Sequence, residues 1–187
     1  MLELVAGKYR VIIANDPTYA IGSADNVRSC DHIYHLDDAR AEYAVTSRHT
    51  VTVTEDNKTI ATCILLAGGG ASGVHENSAL IHQDNCIIAV GPFLASLILP
   101  TLELNWATQA DDATCFGVHQ SQYHECLISH GEMVISRVTF RGTIVWQADG
   151  AEIFTNECLL YGNVVRVTDF NDREYIFDIN NGREIVA

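Results

Sequence analysis

Apolar and polar residues alternate with a period of two along most of this chain, as they do in half-buried β-strands. The segment HTVTVT (49–54) is β-branched, and Asp56-Asn57-Lys58 then reverses the chain into TIATCILLA (59–67). Further hairpins are predicted on the same pattern: ALIHQ with CIIAVG, FLASLIL with ELNWAT, FGVHQ with CLISHG, MVISRVTF with TIVWQA, and VVRVTDF with REYIFDI. A short helix is predicted over LDDARAEY (36–43), preceded by a polar surface loop, CDHIYHLDD (30–38). The sequence therefore predicts an all-β fold of antiparallel hairpins.

An internal repeat runs through these hairpins. Moving residues 86–106 along the chain by 40 positions aligns Cys86 with Cys126, Gly91 with Gly131, Ser96 with Ser136 and Trp106 with Trp146. A third, degenerate copy begins at Asn163 and aligns Gly182 with Gly142, with its strand register slipped by one. A period of about 40 residues carrying four short strands is the length of a propeller blade.

Each unit reads as strand, turn, strand ending in Gly, strand, turn, strand ending in Trp. Over residues 78–187 this pattern resembles the blades of quinoprotein-dehydrogenase and WD-type propellers, although the Gly-His and Trp-Asp pairs of WD repeats are absent. The stretches LPTLELNW and SHGEMVISR…GTIVWQADGAEIFT also resemble uncharacterised bacterial proteins of similar size, and that resemblance carries no known activity. Three units cannot close a ring of at least four blades, so blade-like or sandwich-like sheets are expected rather than a full propeller. We expect a single domain (1–187), with residues 1–70 packed on the same core as residues 78–187.

The strand MVISRVTF illustrates the expected two faces. Its alternate residues Val134, Ser136, Val138 and Phe140 are predicted to face a core. The others, Ile135, Arg137, Thr139 and Arg141, are predicted to lie nearer water.

Composition and charge narrow the classes of partner that this protein is expected to bind. The chain is 48% hydrophobic with 24 acidic and 11 basic residues, giving a net charge of −13. This balance argues against binding to nucleic acid or acidic membranes and permits a basic protein partner. The sequence contains no run of 18 apolar residues, so it predicts no membrane-spanning helix. The N-terminus contains Glu3, lacks a basic start and does not resemble an export signal. A cytoplasmic location is therefore expected. The six scattered cysteines, without a C-x-x-C pair, are then reduced and act as small buried apolar residues.

Histidines supply the candidate chemistry. If Tyr123 and His124 are the central residues of their turn, His119 lies opposite Ile128 and Gly117 lies opposite His130. Because opposed residues and residues two apart share a face, His119, His130 and Glu132 then project from one side. Two imidazoles and a carboxylate suit either a divalent metal ion or acid–base chemistry, and no other cofactor is expected. The alternative is a structural corner of the sheet, because a slip of one residue separates the two histidines.

A second candidate site is the glycine-rich segment AGGGASGVHEN (67–77). Its backbone N–H groups suit an anion or small ligand, with Gly69, Gly70, His75 and Glu76 as contacts. The alternative is a mobile connection between sheets. Nucleotide-binding and nucleophile motifs are absent from the sequence.

These observations favour a non-enzymatic protein-interaction module. One version is an inhibitor or immunity-type protein that neutralises a basic toxin. The alternatives are a small metal-dependent or acid–base enzyme using His119, His130 and Glu132, and a small-ligand or anion binder using the Gly68–Gly73 loop. A homodimer is one way to protect the edge strands of such a protein.

Overall fold

The protein, seen here in a computed structural model, forms four sheets; the structure describes residues 1–26, 29–37 and 44–185. Sheet 1 has the order β1-β2-β4-β5-β3, from β1 (Leu2–Ala6), β2 (Tyr9–Asn15), β3 (His32–His35), β4 (Ser47–Glu55) and β5 (Lys58–Ala67). Sheet 2 contains β6 (Ala79–His82), β7 (Asn85–Val90), β8 (Phe93–Ile98) and β9 (Glu103–Gln109). Sheet 3 contains β10 (Cys115–Gln120), β11 (Leu127–Gly131), β12 (Val134–Val138) and β13 (Ile144–Asp149). Sheet 4 contains β14 (Phe154–Tyr161), β15 (Val164–Asp169) and β16 (Glu174–Asp178).

The all-β fold and the predicted hairpins are confirmed, and all pairings are antiparallel except that of β3 with β5. The predicted helix falls mostly on residues 38–43, outside the described part of the chain. Residues 32–35 were predicted to lie in a surface loop, but they form β3, so His32 and His35 lie on opposite faces of a strand. Within the described ranges, no helix has the length and apolar character needed to cross a membrane.

The sheets stack face to face, and each internal strand of sheets 2 and 3 contributes to two cores. On β7, Cys86 and Ile88 pack in the core between sheets 1 and 2, whereas Ile87 and Ala89 pack in the core between sheets 2 and 3. The first of these cores also contains Val51 and other residues of the N-terminal strands, so these strands pack directly on the repeats. Burial on both faces explains the nearly continuous apolar runs in these strands.

The same stacking corrects the prediction for MVISRVTF. Ile135 was placed nearer water, but it is fully buried in the core between sheets 3 and 4. Val138, on the opposite face, packs between sheets 2 and 3 as predicted. The error arose because a further sheet covers the face that the alternation assigned to solvent.

The repeat of about 40 residues is confirmed by sheets 2 and 3, which have the same order of four antiparallel strands. The outer strands correspond as predicted. The indole N–H of Trp106 donates to the carbonyl of Phe140, and that of Trp146 donates to the carbonyl of Ile179, both at 3.0 Å. Each tryptophan therefore joins its own sheet to the following one.

Sheet 4 is the third copy. Gly142 lies against the ring of Trp106, and Gly182 lies in the same way against the ring of Trp146. The predicted correspondence of these two glycines is therefore supported by equivalent contacts. The third copy has three strands among the described residues, followed by an isolated bridge between Phe177 and Glu184.

The inner strands correspond with a shift of one residue from the predicted alignment. Cys86 packs between sheets 1 and 2 but Cys126 packs between sheets 3 and 4, so the two aligned cysteines face opposite ways. The equivalent cross-strand pairs are Ala89 with Leu94 in sheet 2 and His130 with Ile135 in sheet 3. His130 therefore takes the place of Ala89, not of Val90 as the sequence alignment implied.

The two ends of the stack are covered differently. On the far side of sheet 1, Ile64 and Leu66 are buried in a small apolar cluster with Tyr19 and Val45. The far side of sheet 4 carries Arg166, whose Nε donates to Glu174 at 2.6 Å near the surface. A polar outer face suits the end of a stack of repeats. As predicted, the sheets do not close into a ring or barrel within the described chain.

Candidate functional site

The hairpin that presents the histidines has the predicted register. His119 lies opposite Ile128, and Gly117 lies opposite His130. Ile128 packs in the core between sheets 3 and 4, and the pleat places His119 and His130 on that same face. Both imidazoles therefore project from sheet 3 toward sheet 4.

The third member of the cluster is Cys158 on β14. Potential ligand atoms of His119, His130 and Cys158 all lie within 4.8 Å of one another. Glu132 is not part of this group. It lies in the turn after β11, where its N–H donates to Thr114 at 2.7 Å and its carbonyl accepts from Phe154 at 2.8 Å. The structure thus brings two of the three predicted residues together and adds a thiol from the next sheet.

Burial makes this cluster chemically unusual. His130 is 7% exposed and Cys158 is 5% exposed, whereas His119 is partly buried. The Nε2 atoms of both histidines are buried and have no hydrogen-bond partner among the described residues. A buried polar atom left without any partner costs about 1–3 kcal/mol, so each of these two nitrogens has a strong need for a partner.

Burial keeps the side chains of His119, His130 and Cys158 uncharged near neutral pH. Burial, together with the proximity of His119 and His75, lowers the pKa of His130 to about 4. Burial, with a smaller effect of His75, also lowers the pKa of His119. Burial and the nearby Glu157 raise the pKa of the Cys158 thiol to about 12. Each neutral imidazole therefore has one ring nitrogen with a free lone pair. The Cys158 sulfur is a thiol unless a bound cation displaces its proton.

The surrounding aromatic and polar groups are held in place. The ring of Phe116 meets that of His130 edge to face, with centroids 5.5 Å apart. His75 Nε2 donates to the Phe116 carbonyl at 2.7 Å, and His75 Nδ1 accepts from the Asn77 N–H at 3.3 Å. These contacts fix the tautomer of His75 and fasten the segment before β6 to β10.

The cluster borders an open cavity of about 760 Å³ lined by β6, β10 and β14, which are the first strands of sheets 2, 3 and 4 and lie at an edge of each sheet. Its lining includes His119 and Cys158, two exposed carboxylates and two tyrosines that are 73% and 55% exposed: Glu76, Glu157, Tyr123 and Tyr161. The described residues that line it include no lysine and no arginine. We call this cavity the acidic cavity.

The glycine-rich segment is bound to its neighbours. The N–H of Gly70 donates to Ala113 at 2.9 Å, and the Thr46 hydroxyl donates to the carbonyl of Gly69 at 3.0 Å. A Cβ on Gly70 would lie 1.7 Å from the hydroxyl of Thr114, so glycine is required for this close approach. The Gly70 donor is thus used within the protein, and anion binding at Gly69, Gly70 and the adjacent His75 stays a prediction. Glu76 instead faces the acidic cavity.

Sequence reasoning missed Cys158, although the repeat contained a signal for it. Moving β10 along by 40 residues places Val118 on Cys158, and both side chains face the preceding sheet. Since His119 is next to Val118 on β10, it faces the following sheet, where Cys158 lies. Extending the third copy upstream of Asn163 would have brought these residues together.

Comparisons with known proteins concern the fold. No known family matches the sequence, and no curated protein matches it either. Among solved structures, the WD40 β-propeller domain of Doa1 aligns with a TM-score of 0.52 at 10% identity, over 82% of this chain and 52% of that one. The β-propeller domain of Myceliophteria thermophila Cps50 (Swd1) aligns with a TM-score of 0.53 at 7% identity, over 74% and 56% of the two chains.

The computationally designed Ika8 protein gives a TM-score of 0.54 at 8% identity, over 76% of this chain and 45% of that one. The chain thus spans about half the length of the structures it matches. At such low identity these likenesses describe the fold alone: the chain is a stack of blade-like sheets distantly similar to those of β-propellers.

Proposed function

We propose that this protein is a protein-binding module that receives a basic segment of its partner in the acidic cavity. The observation that carries the proposal is the lining of that cavity, which offers Glu76, Glu157, Tyr123 and Tyr161 and, among the described residues that line it, no lysine or arginine. An open concave surface with exposed tyrosines and uncompensated carboxylates is suited to a protruding Lys or Arg side chain.

The distribution of charge supports this choice of partner. Four basic side chains elsewhere in the described chain are paired with carboxylates, among them Lys8 with Glu55 at 2.7 Å and Arg10 with Glu3 at 3.1 Å. The chain as a whole carries a net charge of −13. Such a field accelerates association with a basic protein and repels the phosphates of nucleic acids and acidic lipids.

Within this function, the preferred form is an inhibitor or immunity-type protein that neutralises a basic toxin in the cytoplasm. A rigid stack of sheets requires little ordering when it binds, which favours tight complexes. Tyr123 and Tyr161 would then pack beside the inserted side chain, and the carboxylates would pair with its charge.

The test compares two double variants in affinity capture. Glu76→Gln with Glu157→Gln removes two charges from the acidic cavity, whereas Glu103→Gln with Glu152→Gln removes two exposed charges elsewhere. We expect a basic protein that binds wild type and the control pair at low salt, binds more weakly at high salt, and binds the cavity pair at least about tenfold more weakly. Equal binding to both pairs, or recovery that is insensitive to salt, would contradict the proposal.

A further inference from the structure

We propose that His119, His130 and Cys158 form a zinc site that joins sheets 3 and 4, with its fourth coordination position open toward the acidic cavity. This site is independent of the protein-binding function proposed above, since its ligands are the buried side chains and not the carboxylates of the cavity.

The first step of the argument is distance. In tetrahedral zinc sites with bonds of about 2.0–2.1 Å to nitrogen and about 2.3 Å to sulfur, neighbouring ligand atoms are about 3.3–3.6 Å apart. The three candidate atoms lie within 4.8 Å of one another. Closing this gap requires movements of about an ångström by side-chain torsion, with no rearrangement of the paired strands.

The second step is the state of the ligand atoms. Nε2 of His119 and Nε2 of His130 are both buried and have no hydrogen-bond partner in the described part of the chain. Buried polar atoms in native proteins are normally paired, so unpaired nitrogens on two histidines of one cluster require an explanation. A metal ion bound through these nitrogens would supply the missing partner for both.

The third step is a comparison inside the molecule. The cross-strand pair Leu80–Ile87 in sheet 2 is equivalent to His119–Ile128 in sheet 3, and Ala89 is equivalent to His130. Val118 on β10 is equivalent to Cys158 on β14. The corresponding place between sheets 2 and 3 is thus filled by Leu80, Ala89 and Val118, which belong to one apolar core. The fold requires only apolar packing at this place, and the chain has three metal-binding side chains there instead.

The fourth step is the choice of metal. Two imidazoles and a thiolate prefer zinc and soft transition ions over calcium or magnesium, which prefer oxygen ligands. When zinc binds, the Cys158 S–H bond breaks, a zinc–sulfur bond forms, and the proton leaves to solvent. Three protein ligands leave one position for water, as in zinc sites that bind exchangeable groups. His119 and Cys158 border the acidic cavity, so that position is accessible from it.

The test uses the full chain, purified under reducing conditions and treated with a chelator. We expect one equivalent of Zn²⁺ to bind and to raise the thermal midpoint, and Co²⁺ to give the intense visible and near-ultraviolet bands of tetrahedral cobalt bound to a thiolate. Cys158→Ser should abolish the sulfur-to-cobalt band, and His119→Gln and Cys158→Ser should each weaken zinc binding by about 100-fold or more.

Matched controls are Cys126→Ser, which alters another buried thiol of the same core, and His124→Gln, which alters a histidine outside the cluster. Both should bind Zn²⁺ as wild type does. Circular dichroism of each metal-free variant shows whether it is folded, and His119→Gln, at a partly buried position, keeps the test valid if Cys158→Ser does not fold. The proposal is overturned if wild type binds no stoichiometric zinc, or if folded His119→Gln binds zinc as wild type does. It is also overturned if binding is lost in the Glu76→Gln with Glu157→Gln variant but kept in His119→Gln.

Discussion

At the scale of single residues, the three consecutive residues His130, Gly131 and Glu132 have different roles. His130 faces the buried cluster, and the backbone of Glu132 joins β10 to β14 through Thr114 and Phe154. Gly131 lies between them against the carboxylate of Asp111, whose Oδ2 accepts from the N–H groups of Met133 and Val134, each at 2.9 Å. The adjacent residues therefore serve a site, a close contact and a connection between strands.

Gly131→Ala should destabilise the protein. A Cβ at this position would lie 2.1 Å from Asp111 Oδ2 and 2.5 Å from the carbonyl of Val134, so the turn would have to move. We expect a loss of about 1–3 kcal/mol in the free energy of unfolding, measured by urea denaturation. Gly73→Ala, where a Cβ meets nothing within 4 Å, should stay within about 0.5 kcal/mol of wild type. Equal stability of Gly131→Ala and Gly73→Ala would show that the turn around Gly131 can accommodate a Cβ with no loss of stability.

His49 should make stability depend on pH. It is fully buried, its Nε2 donates to the Ser72 carbonyl at 3.2 Å, and burial lowers its pKa. The folded protein thus stays unprotonated at this residue while the unfolded chain, with a pKa of about 6.5, takes up a proton. Stability contributed by neutral His49 is therefore fully present above about pH 6.5 and is lost as the pH falls toward the lowered folded-state pKa, by at most about 1.4 kcal/mol per pH unit.

The measurement is urea denaturation between pH 7.5 and pH 5, with chelator present throughout. His49→Gln keeps a donor for Ser72 and removes the titrating group, so its stability should fall less steeply with pH than that of wild type. Parallel curves for the two proteins would mean that His49 takes no part in the pH dependence.

At the scale of elements, the two tryptophans act as equivalent connectors between successive sheets. Each donates its indole N–H to a carbonyl of the next sheet, and each ring lies against a glycine with positive φ, Gly142 at 79° and Gly182 at 71°. A side chain at either glycine would overlap the ring, because an added Cβ would come within 2.7 Å of it. The repeat therefore conserves a contact between neighbouring units as well as a pattern within each unit.

Trp106→Phe and Trp146→Phe should have similar effects. Each substitution removes the indole donor and part of the ring, leaving the carbonyl of Phe140 or Ile179 without this partner. We expect each variant to lose about 1–3 kcal/mol of unfolding free energy by denaturant titration. As a control, Tyr161→Phe changes an exposed aromatic on the last sheet and should be nearly neutral. A large loss in one tryptophan variant and none in the other would refute their equivalence.

At the scale of the whole molecule, local sequence patterns predicted the strands but did not predict which sheet packs against each face of a strand. The observed register of β10 and β11 is the one expected for a turn centred on Tyr123 and His124, so the convergence of His119 with His130 was one of two alternatives that the sequence left open. The burial of Ile135 was not predicted, because it depends on which sheet stacks against β12. Cys158 was missed for the same reason, as it belongs to a different sheet from the histidines. The inner strands of sheets 2 and 3 correspond with a shift of one residue from the sequence alignment. Chance matches such as Cys86 with Cys126 hid this shift, which is visible only in the pairing and burial of the strands.

The position of the proposed zinc site has a consequence for cooperativity. Its histidines belong to β10 and β11 of sheet 3, and its cysteine belongs to β14 of sheet 4. Sheet 4 has one solvent-facing side and, among the described residues, fewer strands than sheets 2 and 3, so it should open before them in the metal-free protein. Zinc binds only when sheets 3 and 4 are docked, and it should therefore stabilise the docked state by mass action.

Hydrogen exchange of the backbone amides measures this directly. In the metal-free protein, amides of β15 and β16 should exchange faster than those of β7 and β8, which are covered on both faces. Saturating zinc should slow exchange in β14–β16 by about tenfold or more while leaving sheet 1 nearly unchanged, and Cys158→Ser should remove this protection. Uniform slowing across all four sheets would mean that the stack opens as one unit, with no separate opening of sheet 4 for a metal ion to suppress.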